Sequence, residues 1–135
     1  MNKLMIMIIA FAGIITGCSP TPSETPKNPK AQYKTITPNE AHTMMSESSG
    51  YILLDVRTPE EFEQIRIDGA VLIPDYELAE RAPEELADQE QIILIYCRSG
   101  RRSADAASIL AKMGYINVYD FGGINSWGHE TVSGK

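Results

Sequence analysis

The stretch that decides the fold is "QIILIYCRSGRRSADAASILAKMG", residues 91–114. It opens on an uninterrupted apolar run, 91–96, of the kind that forms a strand covered on both faces. A basic, glycine-containing loop follows at once. From Ser103 to Met113 the period then changes: Ala106, Ile109, Leu110 and Met113 fall on one stripe, Asp105 lies in the first turn, Lys112 in the last, and Gly114 ends the run. That is an amphipathic helix with charges matched to its dipole. A buried strand that passes through a short loop into a helix is the repeating unit of an α/β domain.

The pattern recurs on both sides. "YILLDV", 51–56, is a second buried strand, "AVLIP", 70–74, a third that Pro74 stops, and "INVYDF", 116–121, a last one. Thr37-Pro38-Asn39-Glu40 and Thr58-Pro59-Glu60-Glu61 both read as helix starts, with threonine capping, proline in the first turn and glutamate reaching back to the cap. The first predicts a helix to about Glu47, the second a short turn carrying Phe62. "YELAERAPEELAD", 76–88, offers one or two short helices, and Gly122-Gly123 leads into a short terminal helix with Trp127, read as core packing. Strands alternating with helices predict a largely parallel sheet between helical layers, with ligands beyond the carboxyl ends of the strands. Cys97 sits at one of those ends.

With 135 residues, 43% of them apolar and 22% charged, the chain suits one folded domain, assigned to 33–135. A net charge of −6 argues against binding nucleic acid or an anionic membrane surface. Residues 1–17, "MNKLMIMIIAFAGIITG", have one lysine, an apolar stretch and no acid, the layout of an export signal too short to span a bilayer comfortably. Its end, Ile15-Thr16-Gly17-Cys18, resembles the bacterial lipobox, which implies cleavage before Cys18 and a lipid on its thiol. Residues 18–32 are then the lipidated Cys18 and a proline-rich tether. The expected location is the cell envelope outside the cytoplasm: the periplasmic face of the outer membrane in a two-membrane bacterium, or the outer face of the plasma membrane otherwise. A monomer is expected.

Lipidation of Cys18 leaves Cys97 as the lone thiol, so no disulfide can form within the domain. An exported lone thiol is open to over-oxidation, and either burial protects it or function requires it. A loop between strand and helix curls backbone amides toward a point and adds the positive end of the helix dipole. Such a nest favours a thiolate, and so a nucleophile. Arg98, Ser99, Gly100, Arg101, Arg102 and Ser103 form the candidate anion-binding loop, with glycine relieving the curl and arginine offering a planar fork to substrate oxygens. Simple packing of Cys97 accounts for the thiol but not for its three cationic neighbours. A solvated charge run describes Arg101 better than Arg98 or Arg102. His42 and His129, read as surface residues, are not placed to act as a base. A thiolate without a base suits leaving groups that need no proton, such as those released on attack at the outer sulfur of a thiosulfonate or persulfide. Two outcomes fit: sulfur transfer through a cysteine persulfide, or phosphate-ester hydrolysis through a phosphocysteine. Neither needs a metal or a cofactor.

Cys97-Arg98-Ser99-Gly100-Arg101-Arg102 resembles the rhodanese active-site pattern Cys-Arg-x-Gly-x-(Arg/Thr). "DVRTPEEF" at 55–62, Gly69-Ala70 followed by "VLIP", and "GYINVYDFGGINSW" at 114–127 are similar to further segments of that family, in its order. Arg66 and Asp68 stand where the family commonly has histidine and proline. The resemblance implies a rhodanese-like α/β domain, a central parallel sheet of about five strands flanked by helices on both faces. It implies Cys97 as the sulfur-carrying nucleophile, a small anionic donor such as thiosulfate or polysulfide, and cyanide or a thiol as acceptor. Tyrosine phosphatases set their loop arginine one position further from the cysteine; that position here is Ser103, and Arg102 falls one short. The shorter loop suits sulfur over phosphate. A non-catalytic sulfur carrier or a partner-docking module is the other reading. Asp55 and Arg57 close a strand on the presumed site's side, as a brace for loops or as support for the Cys97 loop.

Overall fold

The structure is a computed structural model that describes residues 32–134. The export signal, Cys18 and the tether up to residue 31 lie outside the described residues. Among the described residues, no helix is long and apolar enough to cross a membrane.

The apolar runs form the strands expected of them, β2 (Tyr51–Asp55), β4 (Ile92–Cys97) and β5 (Val118–Gly123), joined by β1 (Lys34–Thr35) and β3 (Val71–Leu72). They make one five-stranded sheet in the order β1-β5-β4-β2-β3, and every pairing is parallel. β4 is central. Side-chain alternation along it builds two cores: Ile93, Ile95 and Cys97 pack on one face with Ala106, Ala107 and Leu110 of α4 (Arg101–Lys112) and Leu78 and Ala82 of α3 (Leu78–Glu85). Leu94 and Tyr96 face the other way, onto Phe121, Trp127 and Ala41 of α1 (Pro38–Glu47). Both faces are therefore dry, which is why β4 reads as a continuous apolar run rather than an alternating one.

Capping decides where the helices begin. Thr37 opens α1 and Thr58 opens α2 (Pro59–Gln64), each with a complete capping box closed by Glu40 or Glu61. α4 begins at Arg101, two residues before the sequence boundary, because Gly100 takes up a φ of 108° and serves as the cap itself.

Three other boundaries differ from expectation. β1 gives no sequence signal, since two exposed residues hold no pattern; its pairing with Tyr119 and Asp120 places it. β3 stops at Leu72, although Ile73 and Asp75 still donate to the Asp55 and Val56 carbonyls at 3.0 Å. The one or two short helices expected over 76–88 do form, as a 3-10 turn, Asp75–Glu77, and α3, which runs through Pro83 with Leu78 and Ala82 anchored on the sheet. The terminal helix shrinks to a 3-10 turn, Ile124–Ser126. Beyond it the chain folds back: Val132 pairs antiparallel with Arg66, and the His129 ring stacks on His42 at 3.9 Å.

Candidate active site

β4 delivers Cys97 to the carboxyl end of the sheet with its side chain on the α4 face, 1% exposed. The Gly100 N–H donates to Cys97 Sγ at 3.0 Å, so the loop folds back on the sulfur. Ser103 lies behind: its hydroxyl is 3.6 Å from Sγ, 3.0 Å from the Gly100 carbonyl and 3.2 Å from the Gly122 carbonyl. Its single proton serves one of those carbonyls at a time. No side chain caps α4, in contrast to α1 and α2, which leaves its first-turn amides open to an anion placed before the helix.

The loop is seated on the end of β5. The β4–β5 register shifts between Ile95, which pairs with Asp120, and Cys97, which pairs with Gly123. This bulge is held by the Asp120 carboxylate, which accepts the Gly122 N–H at 3.0 Å. Asn125 N–H then donates to the Arg98 carbonyl at 3.2 Å. A Cβ on Gly123 would drive into that same carbonyl, so this position requires glycine for want of space.

The arginines divide. Arg98 and Arg101 are exposed, as is Ser99. Arg102 is half-buried, and its two terminal nitrogens bond both oxygens of Glu61 at 2.8 and 2.9 Å. Glu61 itself is fixed by the capping box, where it accepts the Thr58 N–H at 3.0 Å. Its role opposite Arg102 was not legible in the sequence, because a capping glutamate carries no mark of a second partner 41 positions away.

Asp55 and Arg57 make no hydrogen bond to the thiol and form a bidentate pair, 0% and 2% exposed, closed at 2.7 Å. Arg57 also donates to the Ile65 carbonyl at 2.6 Å and stands 5.6 Å over the Tyr96 ring. The pair thus ties the end of β2 to residues 65–67 and to the residue before Cys97. Burial lowers the affinity of Arg57 for its proton, and Asp55 more than offsets it. Burial first, and the Asp55 carboxylate second, hold the Tyr96 phenol above its ordinary range. His42 and His129 pack with Trp127 on the α1 side and bond nothing at the thiol. Among the described residues, no group of three or more His, Cys, Asp or Glu could hold a metal ion.

The Arg102 hydrogen bonds lower the Glu61 carboxyl to about 2, with burial opposing and the Thr58 N–H adding. Since the unfolded chain titrates at about 4.3, the clamp contributes fully above that value and is lost as pH falls toward 2. Carbon-13 NMR of the Glu61 carboxyl should show a midpoint near 2 that rises toward the ordinary carboxylate range in Arg102→Met. An ordinary midpoint in the unaltered protein would refute the clamp.

A family model described as "Rhodanese-like domain" matches residues 37–130. The thiosulfate sulfurtransferase PspE of Escherichia coli (strain K12) is 37% identical over 81 residues, 60% of this chain and 78% of that protein. The probable adenylyltransferase/sulfurtransferase MoeZ of Mycobacterium tuberculosis is 35% identical over 98 residues, 72% of this chain but only 25% of that longer protein. A solved structure described as rhodanese with anions from E. coli superimposes with a TM-score of 0.59 at 36% identity, covering 62% of this chain and 99% of that one.

Proposed function

The chain belongs to the rhodanese-like domain family, and we propose that it is a sulfurtransferase that carries sulfane sulfur on Cys97 between a small anionic donor and a thiophilic acceptor. The observation that carries this reading is the Gly100 N–H on Cys97 Sγ, in front of a helix whose first turn has no side-chain cap. With thiosulfate, the Cys97 thiolate attacks the outer sulfur, the S–S bond breaks, and sulfite leaves with the bonding pair. The product is a Cys97 persulfide. Cyanide or a thiolate then attacks its outer sulfur, and the Cys97 thiolate departs unchanged. No step requires a proton from a side chain, which agrees with a thiol that has no histidine or carboxylate bonded to it. Arg98 and Arg101 are the exposed cations that meet the donor, while Ser99, Gly100, Arg102 and Ser103 shape the loop.

The sequence of residues 1–18 supports export and a lipid on Cys18, which would hold the domain at a membrane outside the cytoplasm. Incubation of the full chain with thiosulfate or polysulfide should add the mass of one sulfur atom at Cys97, and cyanide should remove it as thiocyanate. No adduct with either donor would overturn the proposal; an adduct that neither cyanide nor a thiol discharges would identify a carrier instead.

A further inference from the structure

Of the three arginines around the thiol, the one whose position is fixed is the one whose charge is already matched. Arg102 spends both ends of its planar fork on Glu61, with side chains only 32% and 22% exposed. Among the described residues, neither Arg98 nor Arg101 has a carboxylate within ion-pair distance. Glu61 cannot readily swing aside, because its carboxylate also closes the cap of α2. Arg102 stands in the first turn of α4, the helix whose cap residue Gly100 bonds Cys97 Sγ, which places the clamp beside the reacting sulfur.

We propose that Glu61 sets donor choice: by matching the charge of Arg102 through its two terminal nitrogens, it withholds a cation from the site and disfavours doubly charged donors relative to singly charged ones. The inference rests on the sulfur-transfer reading for its catalytic meaning, but the charge balance it describes exists in the resting protein. A dianion such as thiosulfate gains from each cation it meets, whereas a monoanion gains about half as much from the same field. The clamp therefore narrows the advantage of thiosulfate. At its half-buried position, an Arg102 released from Glu61 is a stronger anion ligand than the solvated Arg98 and Arg101.

Two donors that share a reacting S–S bond and differ in charge provide the test. Thiosulfate carries two charges; methanethiosulfonate carries one, and after attack on its outer sulfur it releases methanesulfinate with the bonding pair. Glu61→Gln is the decisive variant, since glutamine retains the capping box and removes the charge. Its KM for thiosulfate should fall by about fivefold, the scale of a half-exposed ion pair, with kcat unchanged and the KM for methanethiosulfonate within about twofold. The double variant Glu61→Gln/Arg102→Gln, which also removes the freed cation, should lose the thiosulfate gain that Glu61→Gln shows alone. Calorimetric binding of thiosulfate to Cys97→Ser and to Cys97→Ser/Glu61→Gln should show the same about fivefold gain without turnover. An unchanged or weaker thiosulfate affinity, or an equal gain for both donors, overturns the proposal. Absence of sulfur transfer with both donors in the unaltered chain would instead sink the catalytic reading, and the binding comparison would still decide the clamp.

Discussion

Cys97→Ser is expected to lose sulfur transfer by about a thousandfold or more while the fold remains intact. The two halves of this outcome have separate causes. A serine oxygen cannot take up sulfane sulfur as a stable carrier, and at neutral pH it is far from ionised, so neither half-reaction has a nucleophile. The site nonetheless accepts the smaller atom without strain: the Gly100 N–H that reaches Sγ at 3.0 Å has an acceptor in either protein, and Ser103 Oγ stands beside it. Although Cys97 is 1% exposed and belongs to the α4-side core, the hydroxyl therefore retains partners and does not become an unsatisfied buried group. Thiocyanate release from thiosulfate and cyanide measures the first half, and the urea unfolding midpoint measures the second. Equal turnover in the two proteins would remove Cys97 from the reaction.

How much of this was legible beforehand depends on the range over which each feature is encoded. The strand-loop-helix of 91–114 is local and strong: the apolar run needs no partner to be recognised, and the helical stripe of Ala106, Ile109, Leu110 and Met113 marks its own buried face. The capping boxes at Thr37 and Thr58 are equally local, and both appear as written. What failed to show was specified by contact across the fold. β1 exists because β5 offers it an edge. The chain end is drawn in by Arg66, whose backbone pairs with Val132 and whose guanidinium lies over Phe62 at 4.8 Å and bonds the Gly134 carbonyl. At the site, Cys97 and its loop are contiguous and were readable, whereas the Glu61 clamp and the seating of the Arg98 carbonyl against Gly123 join distant segments.

Asp55→Asn should destabilise the protein by about 3–5 kcal/mol, the range found when one partner of a buried ion pair is removed. The side chain at 55 is fully buried and meets Arg57 through three guanidinium contacts of 2.7–3.1 Å, besides accepting the Arg57 N–H at 2.9 Å. Asparagine matches the shape but offers one oxygen, and turns an amide N–H group toward a cation. The Ile65 carbonyl, at 2.6 Å, would be left as the main neighbour of a guanidinium that is 2% exposed. A urea midpoint with its slope measures the loss; a change below about 1 kcal/mol would mean that Arg57 escapes to water at little cost. The consequence reaches the site by a short route. Arg57 connects β2 to the segment that follows α2, and α2 carries the Glu61 that holds Arg102. On its other side the same guanidinium covers Tyr96, the residue before the thiol. Asp55 thus acts on the cysteine loop by fixing the two walls between which it sits, without a bond to the sulfur, and its loss should move stability further than it moves the chemistry of Cys97.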